Sequence, residues 1–415
     1  MPEHRKLVEL VQCTNEKITA KKDPNKPYVG LEHIPQRGSE ITEHSNAGDS
    51  ISTNSVFQES DVLFGKLRPN LRKCVLAKFA GYCSTDILVL RALPGTSPSF
   101  AVRILQSEQL GAEAEKSAIG TKMPRTSWAS LRNIKVFAPA ISEQQKIAQI
   151  LNTLDTQIQK TEALIAKLEK IKEGLLHDLL TRGIDQNGQL RPTPKQAPQH
   201  YKESALGLIP KDWEVLPAEA VCEAVIDCKN RTPPERTTGF PVIRTPNVRN
   251  GRFVYSDLLF TDRKSYEIWT QRGAPRPGDI VITREAPVGE VCKIPTTMKQ
   301  ACLGQRMMMY QPDPSIILTD YMLAALVSRR VQNRLLDLAG GSTVGHVKVG
   351  DIRQLAIPTP PVSEQALIAE SFNSIESRLR NEAHELEKLR LEKNGLMDDL
   401  LSGHVRVTSL LKDAV

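Results

Sequence analysis

Basic side chains beside short apolar runs are the feature of this sequence that points most directly to chemistry. Arg and Lys bind phosphate oxygens, and Arg, Lys, Asn and Gln reach guanine and adenine edges in the major groove of DNA. The candidates in the first half of the chain are Lys66, Arg68, Arg72, Lys73, Thr121, Lys122 and Arg125. Those in the second half are Lys229, Arg231, Arg236, Arg244, Asn247, Arg249, Arg252, Arg284, Thr343, His346 and Lys348. These residue types predict contacts with DNA, although a solvated surface charge is an equally good interpretation of any single one.

Two glycine-containing segments carry some of these candidates. Gly120-Thr-Lys-Met-Pro-Arg and Gly340-Gly-Ser-Thr-Val-Gly-His-Val-Lys place small and hydroxyl residues beside basic ones, so that backbone and side chains can approach phosphates closely. A nucleotide-binding loop is the alternative, but the chain has no Gly-x-x-x-x-Gly-Lys-Ser/Thr pattern. We therefore expect both segments to be contact loops for nucleic acid.

Motifs for catalysis are missing from the chain. It has no Asn-Pro-Pro-Tyr or Asp-Pro-Pro-Tyr for amino-methyl transfer, no Gly-x-Gly-x-x-Gly cofactor loop, and no convincing Asp…Glu-x-Lys metal site of a nuclease. The eight His and seven Cys residues form no cluster at metal-ligand spacing. We expect this chain to contain no catalytic residue, no metal and no cofactor, and its thiols to be reduced and mostly buried.

Positive charge is concentrated in two separate parts of the chain. The net charge is +7 over 415 residues. Residues 1–141 and 207–362 are net basic, whereas 142–181 and 363–415 are slightly acidic. This distribution favours contact with a polyanion at two places, with two ordinary basic domains as the alternative. No apolar run is long enough to span a membrane and the first residues lack a secretory signal, so we expect a cytoplasmic protein.

An internal duplication organises the sequence. Ser142-Glu143-Gln144 recurs as Ser363-Glu364-Gln365, at an offset of 221, and 142–181 match 363–402 without a gap at 14 of 40 positions. A slightly shifted register, with an offset of 218, pairs Asp61 with Asp279 and Cys74 with Cys292. The two halves of the chain are therefore expected to share one structural plan.

Each repeat predicts a long amphipathic helix. Apolar residues recur at the alternating four-and-three spacing of a heptad seam. They are Ile147, Leu151, Leu154, Ile158, Ile165 and Leu168 in the first copy, and Ile368, Phe372, Ile375, Leu379, Leu386 and Leu389 in the second. Polar breaks recur at Thr161/Glu382 and Lys172/Lys393, which suggests a fixed register. Forty residues make a rod of about 60 Å, and we expect the two helices to pack on each other antiparallel; the alternative is two separate core helices.

These elements define the expected organisation. Ser142 and Ser363 are predicted as helix N-caps, and Gly183 and Gly403 as the residues that end the helices. The fold class is α+β, with two α/β modules separated by two long antiparallel coiled-coil helices in a pseudo-two-fold repeat. The expected parts are module 1 (1–141), spacer helix 1 (142–182), a proline-rich linker (183–206), module 2 (207–362), spacer helix 2 (363–403) and a C-terminal tail (404–415).

Pro-x-x-Ser-Glu-Gln leading twice into a long helix resembles the specificity subunits of type I restriction-modification systems. Supporting motifs are Leu208-Ile-Pro-Lys-Asp-Trp-Glu-Val, Gly239-Phe-Pro-Val-Ile-Arg-Thr-Pro-Asn-Val-Arg-Asn-Gly and Tyr28-Val-Gly-Leu-Glu-His-Ile. The resemblance implies that each module is a target recognition domain for one half of a bipartite DNA site and that the helices set the gap. It further implies docking of two DNA methyltransferase (modification) subunits, which use S-adenosylmethionine for adenine methylation, and of restriction (motor-nuclease) subunits.

Two other functions stay open at this point. One is a coiled-coil structural protein that binds DNA without sequence preference, and the other is a self-contained nuclease or methylase with unrecognised motifs. The modules diverge freely in the family, so the resemblance does not transfer individual base-reading residues.

Overall fold

The computed structural model describes residues 3–19, 23–38, 40–41, 43–49, 53–340 and 345–414. The chain divides into two compact units. Unit 1 comprises Met1–Ala163 together with Ala383–Val415, and unit 2 comprises Leu164–Glu382. Each unit therefore contains one predicted module and one half of each long helix, so the spacer helices do not form a domain of their own.

Unit 1 is a mixture of short strands and helices. Its strands are β1 (His4–Lys6), β2 (Val11–Cys13), β3 (Lys17–Thr19), β4 (Pro27–Val29), β5 (Ser45–Asn46), β6 (Thr53–Phe57), β7 (Val62–Gly65), β8 (Cys74–Leu76), β9 (Gly81–Ser84), β10 (Ile87–Ala92) and β11 (Lys135–Phe137). Its helices are α1 (Pro98–Gln106), α2 (Glu108–Lys116), α3 (Trp128–Leu131) and the first part of α4 (Ile141–Thr181). They surround an antiparallel sheet β2-β10-β7-β8 and a sheet β3-β6-β9-β4-β5.

Unit 2 repeats this composition. Its strands are β12 (Tyr201–Lys202), β13 (Ile209–Pro210), β14 (Glu214–Pro217), β15 (Cys222–Asp227), β16 (Phe240–Ile243), β17 (Val248–Arg249), β18 (Arg252–Phe253), β19 (Leu259–Thr261), β20 (Ile280–Thr283), β21 (Val291–Lys293), β22 (Cys302–Leu303), β23 (Met307–Pro312) and β24 (Ala356–Thr359). Its helices are α5 (Arg263–Trp269), α6 (Thr319–Val327), α7 (Arg329–Leu338), α8 (Val349–Arg353) and the first part of α9 (Val362–Ser402).

The same four-stranded antiparallel sheet lies in both units. Its order is β2-β10-β7-β8 in unit 1 and β15-β23-β20-β21 in unit 2. The central strands β7 and β20 occupy the same position in the two sheets, and every residue of both strands is buried. Before β7 the buried Asp61 accepts two hydrogen bonds from Arg91, at 2.7 Å each, and before β20 the Asp279 carboxylate accepts from Gln311 at 2.8 Å. The shifted repeat register thus corresponds to a repeated sheet.

The duplicated segments form two helices of 41 residues each, α4 and α9. Each begins one residue earlier than predicted, because the Gln144 N–H donates to the Ala140 carbonyl and the Gln365 N–H to the Pro361 carbonyl. The prediction that Ser142 and Ser363 are N-caps is therefore wrong. Gly183 and Gly403 follow the helix ends with φ of +69° and +80°, a conformation that glycine adopts without steric cost.

The predicted seam positions form buried stripes on both helices. All twelve apolar seam residues are buried or half-buried. In unit 1, Ile147 and Leu151 of α4 share a core with Leu400 and Leu401 of α9. In unit 2, Leu176 and Leu180 of α4 share a core with Ile368 and Phe372 of α9. In each unit, the beginning of one helix thus packs with the end of the other.

The proline-rich segment 183–206 is more ordered than its composition predicts. Ile184 is buried in the core of unit 2 together with Trp213. The Tyr201 hydroxyl donates to the Pro192 carbonyl at 2.5 Å, and β12 pairs with β13. The segment connects α4 to module 2, as predicted, and it also packs against the core of unit 2.

Among the residues that the structure describes, no helix is long and apolar enough to cross a membrane. All seven cysteines are free thiols, and most are buried. Burial raises the pKa of Cys83, Cys292 and Cys302 to about 12, so these thiols are protonated near neutral pH.

Candidate nucleic-acid interface

Several candidate residues of module 1 lie at one end of the four-stranded sheet in unit 1. Lys66 follows β7, and its N–H donates to the Asp86 carbonyl just before β10. The Lys66 carbonyl in turn accepts from the Thr126 N–H at 3.0 Å. The second bond holds the predicted loop at 120–125 against the strand end, although 54 residues separate the start of this loop from Lys66.

The loop residues and Arg68 lie together at this strand end. The Arg68 N–H donates to the Pro124 carbonyl at 2.7 Å, and Arg125 forms an ion pair with Asp86 at 2.9 Å. The hydrogen bonds from Arg125 hold the pKa of Asp86 below its ordinary value. Arg68, Thr121 and Lys122 are exposed, and within the described ranges the side chains of Arg68 and Lys122 form no ion pair. The structure therefore assembles Arg68, Lys122 and Arg125 on one exposed surface.

Unit 2 contains an equivalent strand-end site. Arg284 follows β20 at the repeat position of Lys66, and its N–H donates to the Arg306 carbonyl. The Val347 N–H, at the repeat position of Thr126, donates to the Arg284 carbonyl at 3.1 Å. His346, at the repeat position of Arg125, lies 3.4 Å from the Glu285 carboxylate. Both units therefore use the same backbone hydrogen bonds to join a basic loop to the end of a sheet.

Further candidates follow β15 at the same end of the sheet in unit 2. Lys229 and Arg231 lie over the ring of Trp269, 5.6 and 5.1 Å from its centre. The Trp269 indole N–H donates to the Arg231 carbonyl at 3.0 Å, which fixes the ring. Cations held over an indole face keep their outward donors free for an anionic partner.

The other candidates of unit 2 lie in several different elements, and their exposure differs. Arg236 pairs with Asp262 at 2.9 Å, and Arg244 donates to the Asp257 carbonyl at 2.7 Å. Arg249 and Lys348 are exposed, and neither forms an ion pair in the part of the chain that the structure describes. Thr343 lies outside the described residues.

Five candidates occupy structural positions, which corrects the sequence interpretation. The Asn247 side chain is fully buried: it accepts from the Arg244 N–H and donates to two backbone carbonyls, so it cannot reach a base. Arg72 is only 12% exposed and binds Glu108 and Glu115, and the Lys73 ammonium donates to the Leu31 carbonyl. Arg252 pairs with Glu376 of α9, and Arg284 is 6% exposed. Burial removes Asn247 and Arg284 from direct DNA contact, whereas partners within the chain hold the side chains of Arg72, Lys73 and Arg252.

A sequence model of the type I restriction modification DNA specificity domain matches residues 3–170 and 210–391. The chain belongs to this family. The resemblance given by the repeated Ser-Glu-Gln segments is therefore confirmed.

Relatives in the specificity family carry the same description in their names. The MjaVIII specificity subunit of Methanocaldococcus jannaschii is 26% identical over 295 residues, which cover 70% of this chain and 67% of that protein. The putative MjaX specificity subunit of the same organism is 25% identical over 67% of this chain and 60% of that protein. The EcoKI specificity subunit of Escherichia coli K12 is 22% identical over 41% of this chain and 37% of that protein. The matched regions thus span about two thirds of these relatives or less.

Two solved structures of the family share the fold. The S subunit of a type I restriction-modification system from M. genitalium has a TM-score of 0.60 at 14% identity, with 96% of this chain and 95% of that chain covered. A chain from a study of complex assembly and conformational transition in the type I system has a TM-score of 0.58 at 19% identity, with 98% of this chain and 99% of that chain covered. The predicted mixed α/β architecture with two repeats is confirmed.

Sequence reasoning missed some residues of the candidate site. Asp86 and Glu285 hold the basic loop residues, and Arg306 and Trp269 complete the site in unit 2. Asp86 lies 39 residues from Arg125, so no local spacing joins the two. The repeat offset was the one available signal, because it aligns Arg125 with His346 and Thr126 with Val347. Within the described residues, no group of three His, Cys, Asp or Glu side chains could hold a metal ion.

Proposed function

We propose that this specificity-family chain reads DNA for a type I restriction-modification complex, with each module recognising one half of a bipartite site. One observation carries the proposal: the same strand-end site, joined by the same backbone hydrogen bonds, occurs once in each unit. Exposed Arg, Lys and His side chains at such a site are donors for guanine edges and for phosphates. Two copies of one reading site are suited to two half-sites.

The two long helices are proposed to form an antiparallel coiled coil that sets the gap between the half-sites. The buried stripes on α4 and α9 and the cores they share within each unit support this pairing. A helix of 41 residues rises about 60 Å. In this proposal the length of the helix pair determines the length of the gap between the two half-sites.

Two equivalent grooves support docking of two copies of one partner, proposed as DNA methyltransferase subunits. In unit 2 a groove of about 600 Å³ is lined by Leu318, Thr319, Ala366, Ala369 and Asn373. In unit 1 a groove of about 480 Å³ is lined by Ser97, Gln145, Ala148 and Asn152, the repeat positions of four of these residues, and by Ser99. Adenine methylation with S-adenosylmethionine is assigned to that partner, and cleavage to restriction subunits.

Selection from a random DNA pool tests the proposal. The full-length chain, purified with its modification subunits, is incubated with duplexes that carry a randomised region, and the bound DNA is sequenced. We expect two short conserved blocks separated by a fixed unspecified gap. One continuous motif, or no enrichment at fixed salt concentration despite binding, would contradict it and favour DNA binding without sequence preference.

A further inference from the structure

A buried charged cluster, here called node 1, joins α4 to α9 and to module 1 within unit 1. Asp155 of α4 is buried, and its carboxylate lies 2.6 Å from the Lys393 ammonium of α9. Arg103 of α1 forms an ion pair with the same carboxylate at 2.5 Å, and its guanidinium also donates to Asn152. One carboxylate thus binds a cation from the other helix and a cation from the module.

A second cluster, node 2, repeats the arrangement within unit 2. Glu376 of α9 is buried and pairs with the Lys172 ammonium of α4. Arg252 of β18 lies 3.0 Å from the same carboxylate. Again one buried acid binds a lysine of the other helix and an arginine of the module.

The repeat explains only part of this similarity. Asp155 and Glu376 are repeat positions of each other, and so are Lys172 and Lys393. The two arginines are not related in this way, since Arg103 lies on a helix and Arg252 on a short strand. The position equivalent to Arg103 is Ala324. Helix α1 in unit 1 and strand β18 in unit 2 therefore each supply an arginine to the equivalent buried carboxylate.

Buried ion pairs of this kind contribute little net free energy to folding, so stability alone does not explain them. Removing charges from water has a large desolvation cost, and well-packed apolar residues often stabilise such a position as well or better. Both lysines interrupt an apolar heptad seam, where a single polar residue is known to select one register among several. An apolar seam can slip by a heptad with little loss of contact. A slip in this seam would separate the half-buried Lys172 and Lys393 from the buried carboxylates that they neutralise.

We propose that node 1 and node 2 select a single register of the two helices and fasten each module to that register, so that the DNA gap has one length. This inference rests on the proposed bipartite recognition. A slip of one heptad moves a helix by about 10 Å. That distance corresponds to about three base pairs of duplex DNA, at 3.4 Å for each.

The double variant Lys172→Met, Lys393→Met tests the proposal. Asp155 and Glu376 keep Arg103 and Arg252 as partners, so no buried carboxylate loses all its compensation. Selection from the random DNA pool should return unchanged half-sites with more than one gap length, the additional one differing by about three base pairs. Lys172→Arg, Lys393→Arg should keep a single gap. Arg390→Met is the matched control, because Arg390 forms an exposed ion pair with Glu162 in the same helices.

A distance measurement without DNA tests the helix register independently of the proposed DNA recognition. Residue 160 lies five positions after Asp155, and residue 388 five before Lys393, so the antiparallel register places them at one level. Spin labels at these positions should give one distance in the parent chain and two in the methionine variant, with the second longer by several ångströms. A single unchanged distance and gap in the variant would overturn the register proposal. Failure of the parent chain to select a bipartite site would instead overturn the proposed function.

Discussion

At the scale of single residues, the local surroundings of Arg68 and Arg72 give two similar side chains different roles. Arg68 and Arg72 are four residues apart, both have positive φ, and both were predicted as DNA contacts. Arg68 is exposed beside the contact loop, whereas Arg72 is held between the carboxylates of α2. The difference depends on Glu108 and Glu115, which no short-range pattern connects to Arg72.

The pair Arg68→Asn and Arg72→Asn separates binding from stability, because Asn tolerates the left-handed backbone at both positions. Arg68→Asn should weaken DNA binding about tenfold and reduce the salt slope by about one, with little change in Tm. Arg72→Asn should instead lower the free energy of unfolding by about 1–2 kcal/mol, because the nearly buried guanidinium loses its packing and its hydrogen bonds to Glu108 and Glu115. Fluorescence anisotropy and urea unfolding measure the two effects. Equal loss of affinity in both variants, at equal stability, would contradict the assignment.

At the scale of the elements, the repeated Ser-Glu-Gln motif has a task that sequence reasoning did not find. Glu143 at the start of α4 accepts two hydrogen bonds from Arg406, after the end of α9. Glu364 at the start of α9 binds Arg191, after the end of α4, and accepts from the Trp213 indole at 3.0 Å. Each glutamate therefore ties the start of one helix to the segment that follows the other. The periodicity predicted the helices, but these partners lie outside any helical period.

The Glu364→Gln substitution should destabilise unit 2 far more than a Ser363→Ala substitution at the neighbouring residue. The glutamine leaves the half-buried Arg191 without its main counter-ion, and breaking such a pair costs about 3 kcal/mol. Ser363 is exposed, so its loss should change the free energy of unfolding by less than about 0.5 kcal/mol. Chemical denaturation followed by tryptophan fluorescence reports on this region through Trp213. Similar losses in the two variants would show that the ion pair contributes little.

Acid should weaken the equivalent contact in unit 1, which joins Glu143 to Arg406. Hydrogen bonds from Arg406 hold the pKa of Glu143 below its ordinary value of 4.5. A lowered folded-state pKa contributes stability above the unfolded-state pKa, and this contribution is lost as pH falls through the folded-state value. The free energy of unfolding should therefore decrease below about pH 4.5, and less steeply in Glu143→Gln than in the exposed control Glu169→Gln. Urea titrations between pH 7 and pH 3 measure the slopes, and identical slopes in the two variants would refute this origin.

At the scale of the whole molecule, the duplication was the most informative property of the sequence. It predicted two modules and two long helices, since a repeat at a fixed offset constrains both halves at once. It did not predict that each compact unit takes half of each helix, because the division follows from packing between residues more than 200 positions apart. Nor did it predict node 1 and node 2, whose arginines come from elements that the repeat does not relate.

Lengthening both helices together should lengthen the DNA gap. Seven residues in heptad pattern, inserted after Ala163 and after His384, fall at the same level of an antiparallel pair and preserve both nodes. The helices gain about 10 Å, so the selected DNA should keep its half-sites and gain about three base pairs in the gap. Affinity should also fall, since three base pairs turn one half-site by about a third of a helical turn.

The same insertion in α4 alone separates Lys172 from the level of Glu376 and should abolish selection of a single gap. An unchanged gap in the doubly lengthened chain would show that the helices do not set the spacing.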